Sequence, residues 1–430
     1  MKRIYLDHAA ATPMDQRVTE AMDPFWYENF GNAGGLYREG RTAKEAMDAA
    51  RKEIAHTIGA RPDEIIFTSG GTESDNLAIF GTARRATASS TSDVEFPKTS
   101  DVFPAIARPH IITTRFEHRA VLGPCELLEK GGFEVTYLEV GNNGIINPED
   151  VKKALRSETI LVSIMYANNE IGTIQPIAKI GKIIKEFNEN NAAGRSHKTY
   201  FHTDACQAAG YLDLNVQNLG VDLMSINGSK IYGPKGIGFL YKRSGVKIKP
   251  QMVGGGQELR MRSGTENIPL IAGLSKALKI AQEEKNTESK RLTELRDYFI
   301  SEMMRRVPRV VLNGDAERRL PNNINVSILG IEGEALLLYL DSLGIACGTG
   351  SACTSESLEP SHVILALGKP YEFAHSSIRF TLGRSTKKED LEYVLEKLPG
   401  VVEWLRVVSP ITIKTAHNYF RKTEQLCPEK

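Results

Sequence analysis

Seven short apolar runs, spread over the first two thirds of the chain, limit the fold more than any other feature. They are EIIFTS (64–69), HIITTR (110–115), EVTYLEV (134–140), ILVSIMYA (160–167), TYFHTD (199–204), VDLMSI (221–226) and GIGFLYK (236–242). Most are separated by stretches of helical periodicity, such as 117–130 and 176–190. Runs this apolar suit strands covered on both faces, and strands alternating with helices build parallel sheets. The expected class is α/β, a mostly parallel mixed sheet with helices on both faces. Residues 86–108 are rich in Ser, Thr and Pro and read as a long surface loop.

From about residue 266 the pattern changes. A long charged helix is expected over roughly 270–306, then strands at NNINVSI (322–328) and SSIRFTLG (376–383), then two more helices. This reads as a smaller C-terminal α/β domain, which a chain of 430 residues has room for. The 54 basic and 53 acidic residues leave a net charge of +1, which argues against a protein that coats nucleic acid. Five cysteines make no disulfide framework, and none sits at metal-site spacing, so no metal is expected. The start, MKRIYLDHAAATP, turns polar too soon for a signal peptide, and no apolar run approaches the ~20 residues that span a bilayer. A reducing cytoplasm is the expected setting.

Ligands of open parallel sheets bind beyond the carboxyl ends of the strands, so the residues just past each run test for a site. After EIIFTS comes Gly70-Gly71-Thr72-Glu73-Ser74 opening a helix, either an anion seat or a plain Gly turn capped by Thr72. After HIITTR come Glu117 and His118; after ILVSIMYA come Asn168, Asn169 and Glu170. After TYFHTD a helix is expected to start at Ala205-Cys206-Gln207, with Asp204 as its cap; after VDLMSI come Asn227-Gly228-Ser229-Lys230. Each alone has an ordinary structural reading. Together, a phosphate seat, a carboxylate, a lysine, an imidazole and paired amides at one sheet edge suit one cofactor, pyridoxal 5'-phosphate. It needs a Schiff-base lysine, an acid facing the pyridinium nitrogen and a phosphate cradle.

The motifs carry a resemblance. YLDHAAATP (5–13), FTSGGTESDNLAI (67–79), EHRAVL (117–122), ANNEIGTIQPI (167–177), HTDACQAAG (202–210), KIYGPKGIG (230–238), MRSGTEN (261–267), GSACTSESLEPSHVILALG (350–368) and AHSSIRFTLGR (374–384) resemble the cysteine desulfurases of the NifS/IscS type. These belong to the class-V aminotransferase family, with PLP fold type I. The resemblance implies a large cofactor-binding domain over 15–265 and a small domain from 1–14 and 266–430 that carries the catalytic cysteine.

Residue by residue, Lys230 resembles the Schiff-base lysine, Asp204 the partner of the ring nitrogen, Gln207 the amide on the ring hydroxyl, and His118 the stacked proton-transfer histidine. Gly71 and Thr72 would hold the phosphate. Asn227 and Ser229 stand where the family has Ser and His and could still donate to it. Thr265 would reach the phosphate from a neighbouring subunit, which implies a homodimer. Asn32, Asn169 and Arg379 look like the groups that orient the substrate carboxylate, with Asn169 also beside the cofactor. Cys353 resembles the nucleophile that takes the sulfur of L-cysteine as a persulfide, leaving L-alanine. A Gly/Ser loop around it would let one thiol meet the substrate inside and an acceptor outside.

Two further departures stand out. GNAGGLYREG (31–40) replaces the usual loop after Asn32, and Cys347 occupies a place usually held by Ser or Val, where a plain buried thiol is the simpler reading than a redox partner. The reading is therefore a desulfurase that passes sulfur to an Fe–S scaffold or a tRNA-thiolation enzyme, with no direct nucleic-acid or membrane contact. A selenocysteine lyase would use the same groups; another class-V aminotransferase or lyase is the remaining alternative, and an aminotransferase would have no use for Cys353. A catalytically poor assembly scaffold would not need Lys230, Asp204, His118 and Arg379 together.

Overall fold

The computed structural model describes residues 3–87, 108–192, 195, 197–349 and 360–408. In chain order the strands are β1 (Ile4–Tyr5), β2 (Ile65–Thr68), β3 (His110–Thr114), β4 (Glu134–Leu138), β5 (Thr159–Ser163), β6 (Tyr200–Asp204), β7 (Leu223–Asn227), β8 (Gly238–Lys242), β9 (Val310–Leu312), β10 (Asn323–Ile328), β11 (Ile345–Ala346) and β12 (Ser377–Thr381). Each of the seven apolar runs holds one strand of a seven-stranded sheet in the order β2-β8-β7-β6-β5-β3-β4. All neighbours are parallel except β8, which runs antiparallel to both β2 and β7. Two apolar cores lie against this sheet: one includes Ile54, Phe201 and Phe239, the other Ile66, Leu161 and Leu240. Adjacent residues such as Phe239 and Leu240 therefore serve opposite faces, which is why the runs are continuous.

A three-stranded antiparallel sheet, β12-β10-β9, has its own core around Phe299, Phe380 and Val326. One helix, Ile268–Arg306, joins the two bodies. Its first half buries Ile271, Leu274 and Leu278 in the core of the large sheet; its second half buries Leu292, Phe299 and Met303 in that of the small one. Among the described residues four helices come after it, Gly333–Ser342, His362–Ala366, Tyr371–His375 and Lys388–Val408, where two were expected. The N-terminus pairs β1 with β11 in parallel and then runs along β12, with Asp7 bridged to Thr381. The described parts of the 86–108 loop are its first two residues, which end a helix, and Arg108; residues 88–107 lie outside the described residues.

Candidate active site

The carboxyl ends of β2, β3, β5, β6 and β7 meet at one edge. Thr68 faces Gly238 in register, Gly238 faces Asn227, and Asp204 faces Ser225, so the segments leaving these strands are neighbours across the sheet. Gly70 turns with φ +151°, and the helix Gly71–Thr87 begins at once, which places Thr72 in its first turn and not at its cap. A Cβ on Gly71 would stand 2.7 Å from Cys206 Sγ, so the turn packs bare backbone against the floor of the site. The N–H groups of a helix's first turn have no intrahelical partner and point outward, which suits a phosphate.

Asp204 ends β6, and its Oδ1 accepts from Cys206 N at 2.9 Å. The next residues close into turns, with Ala208 N and Ala209 N both donating to Ala205 O, so the helix expected at 205–207 is not formed. The Asp side chain does the work of a cap, but the chain goes straight into another turn. Gln207 Nε2 donates to Ala9 O at 3.0 Å and Lys230 Nζ to Ala10 O at 2.5 Å. Thr12 Oγ1 donates to Ser229 O, and Ser229 N and Oγ both donate to Asn227 Oδ1 at 3.1 Å. The N-terminal segment thus crosses the site and touches its lysine and its amide. His118 caps the helix Arg119–Lys130: its Nδ1 accepts from Ala120 N at 3.1 Å, leaving the proton of the neutral ring on Nε2.

Arg379 lies on β12, buried, and reaches the same edge. Its Nη1 donates to Asn169 O at 2.9 Å and its Nη2 to Asp7 Oδ1 at 2.8 Å, while Nε is buried with no acceptor among the described residues. Asn169 is half-buried beside it, whereas Asn32 is exposed, with its Oδ1 turned to Gly34 N. Thr265 is exposed as well and lines a recess of about 210 Å³ with Ser69 and Gly236 of its own chain.

Cys353 and residues 350–359 lie outside the described residues, but both flanks are placed. Gly348 exchanges backbone hydrogen bonds with Arg379 at 2.9 and 2.7 Å. Ser361 Oγ donates to Glu170 Oε2 at 2.5 Å, and His362 Nε2 donates to Glu117 O at 2.9 Å. The segment between them starts at Arg379 and ends beside the turns of His118 and Asn169. Cys347 is buried, and burial first, then Asp7, push its thiol up to about 12.

Three acids beneath the site were not singled out for any role by their sequence. Burial raises Glu117 to about 8 and Glu170 to about 7, and holds Asp75 well above the usual carboxylate range, with Asp204 adding to the effect. Asp75 lies 3.5 Å from His202 Nε2. Nothing in the local sequence marks their burial: Asp75 sits among Glu73, Ser74 and Asn76, and only the fold covers it.

The donor set fits a phosphorylated pyridoxal: a glycine cradle that a Cβ would fill, an acid at the strand end, a half-buried lysine and an imidazole. Among the described residues no helix is long and apolar enough to cross a membrane. Residues 4–95 and 102–394 match the class-V aminotransferase family. The cysteine desulfurase IscS of Dictyoglomus turgidum is 53% identical over 411 residues, covering 95% of this chain and 97% of that protein. That of Methanosarcina thermophila is 48% identical over 413 residues, covering 96% and 95%. A solved NifS-like protein superposes with a TM-score of 0.83 at 34% identity, covering 94% of this chain and 100% of its own. A structure of SspA in complex with cysteine gives 0.73 at 35%, covering 89% and 99%.

Proposed function

The chain belongs to the class-V aminotransferase family and is a cysteine desulfurase within it, and on that premise we propose that Cys353 takes the sulfur of L-cysteine at the sheet edge described above. The observation that carries the reading is the convergence of Lys230, Asp204, His118 and Arg379 at that edge, where both flanks of the Cys353 segment are also tied. Members of the family use pyridoxal phosphate, which when bound supplies a ring that accepts the electron pair released at the substrate's Cα.

In this reading Lys230 would hold the cofactor through Nζ, which now donates to Ala10 O. Asp204 would serve the ring nitrogen, and Gln207 the ring hydroxyl. Gly71, Thr72, Asn227 and Ser229 serve the phosphate, joined by Thr265 from a second copy, so the working species is a homodimer. His118 holds and moves a proton at Nε2. Asn32, Asn169 and Arg379 fix the substrate carboxylate. The Cys353 thiolate bonds to the substrate sulfur as the substrate's Cβ–S bond breaks; that carbon takes up a proton, so L-cysteine and the enzyme thiol become L-alanine and a persulfide. The reduced form of Cys353 suits a cytoplasmic setting. The acceptor is an Fe–S scaffold or a tRNA-thiolation protein. Residues 15–265 form the cofactor domain, and 1–14 with 266–430 the domain that carries Cys353.

Replacing Cys353 by Ser tests the assignment. L-cysteine should still change the absorption of the holoenzyme, while alanine and sulfide release fall by orders of magnitude, because a hydroxyl is a far poorer nucleophile toward sulfur. Cys347→Ser should cost little. Mass spectrometry after L-cysteine should place the added sulfur on the peptide that contains Cys353; unchanged activity in Cys353→Ser would overturn the assignment.

A further inference from the structure

Asp7 belongs to the YLDHAAATP segment, whose conspicuous acid has no part in the chemistry above. Its Oδ1 accepts from Arg379 Nη2 at 2.8 Å, with the two side chains only 17% and 5% exposed. Among the described residues Arg379 is the only cation paired with it. The groups around it add no other positive charge: Tyr5 spends its hydroxyl on the carbonyls of Asp7 and Ala11, and the Cys347 thiol stays protonated. His8 Nδ1 is engaged with Thr381 O, and burial holds its pKa below the ordinary value. Gly348 closes over the pair. A Cβ there would lie 3.0 Å from both Arg379 Nη2 and Asp7 Oδ1.

We propose that Asp7 is a positioning residue that acts through Arg379, a resident carboxylate that sets how tightly the guanidinium holds the carboxylate of a ligand. The proposal rests on the reading of Arg379 as the substrate clamp. A carboxylate arriving on Arg379 shares that guanidinium with the Asp7 carboxylate, so the two anions repel across it, and the clamp offers directed hydrogen bonds at no net positive charge. The consequence falls on product release. L-alanine keeps the carboxylate and amine of L-cysteine, so a clamp that binds the one through an uncompensated cation also retains the other. With Asp7 in place both are held by geometry, and the product leaves.

The experiment uses the holoenzyme and the change in its cofactor absorption on titration with two probes, L-alanine and ethylamine, which differ only by the carboxylate. The readout is the ratio of their dissociation constants, which loss of packing alone would not move in the expected direction. Asp7→Asn keeps an acceptor for Arg379 and removes the charge. It should bind L-alanine about tenfold more tightly, with ethylamine unchanged, as a like charge removed a few ångströms from an anion site predicts. Asp7→Glu should retain the wild-type ratio. If Asp7→Asn does not fold, Asp7→Ser makes the same removal and should show the same gain. Arg379→Gln should collapse the ratio; if it does not, the clamp reading falls. If Arg379→Gln collapses the ratio while neither neutral variant binds L-alanine more tightly than wild type, the clamp stands and the role of Asp7 is overturned.

Discussion

At the scale of single residues, the buried acids give the clearest sign. Glu117 Oε1 accepts from Met165 N at 3.0 Å and Thr114 Oγ1 at 2.9 Å, but Oε2 has no partner among the described residues, and burial raises the group from 4.5 to about 8. Between those values the folded protein keeps a proton that the unfolded chain releases, so stability falls as pH rises through the window. Glu117→Gln keeps the acceptor and is neutral throughout. Its advantage over wild type should be absent near pH 4 and reach on the order of 4 kcal/mol at pH 8. Urea unfolding at the two pH values decides it, and an equal slope for both proteins would exclude a protonated Glu117. Gly71→Ala drives a Cβ to 2.7 Å from Cys206 Sγ and should cost about 1–3 kcal/mol, with weaker retention of pyridoxal phosphate on dialysis. Cys206→Ala in the same chain removes the sulfur and should restore most of the stability. If it restores none, the strain lies elsewhere. The place of Lys230, Asp204 and His118 at the sheet edge could be read from the sequence because each comes just after a strand or ends one, whereas the partners of Asp7 and Asp75 could not, since only the fold brings them to Arg379 and His202.

Among the elements, the strands were legible and the turns between them less so. Each apolar run became a strand, and in most of them burial on both faces leaves its pattern in every residue, as in β3 and β5, where all five positions are buried; the edge strand β4 buries only Leu138. The turn after Asp204 misled because a side-chain acceptor two residues before an N–H is the same local signal for a helix cap and for an isolated turn. The 251–267 segment carries no periodic signal at all. Two ion pairs pin it. Arg262 Nε donates to Glu73 Oε1 at 2.9 Å; more deeply buried, Glu258 accepts from Arg51 at 2.6 Å and 2.9 Å and from Phe67 N at 2.7 Å, while Arg51 also donates to Ile65 O. Glu258, Leu259 and Arg260 all hold positive φ, a run that L residues keep only when surroundings impose it. Glu258→Ala would leave a buried guanidinium and an orphaned β2 amide, so it should cost about 3–5 kcal/mol. The sharper expectation is local. Protease cleavage near Arg260 should rise in Glu258→Ala well before global unfolding, and protection equal to wild type would mean that something else holds the segment.

On the scale of the whole molecule, the last question is which chain completes each site. Thr265 sits at the end of the segment that Glu258 pins, exposed, beside Ser69 of its own chain. Large apolar side chains are exposed shortly before it in sequence and near the start of the chain: Val253 and Leu259 at 74% and 54%, and Tyr27, Phe30 and Leu36 at 86%, 70% and 89%. So much uncovered apolar surface is what a second copy of this chain would bury. The homodimer can be tested together with the sharing of Thr265. Lys230→Ala chains and Thr265→Ala chains, differently tagged, are refolded together and the mixed dimer is purified. If Thr265 serves the partner's phosphate, one site of the mixed dimer lacks both groups and the other has both. Such a dimer should bind one pyridoxal phosphate per two chains with wild-type affinity and show about half the wild-type activity. If Thr265 serves its own chain, each site lacks one group. One has no lysine, and the other a weakened phosphate seat, so no wild-type site exists. A monomer in sedimentation with cofactor bound at full occupancy would dispose of the sharing altogether.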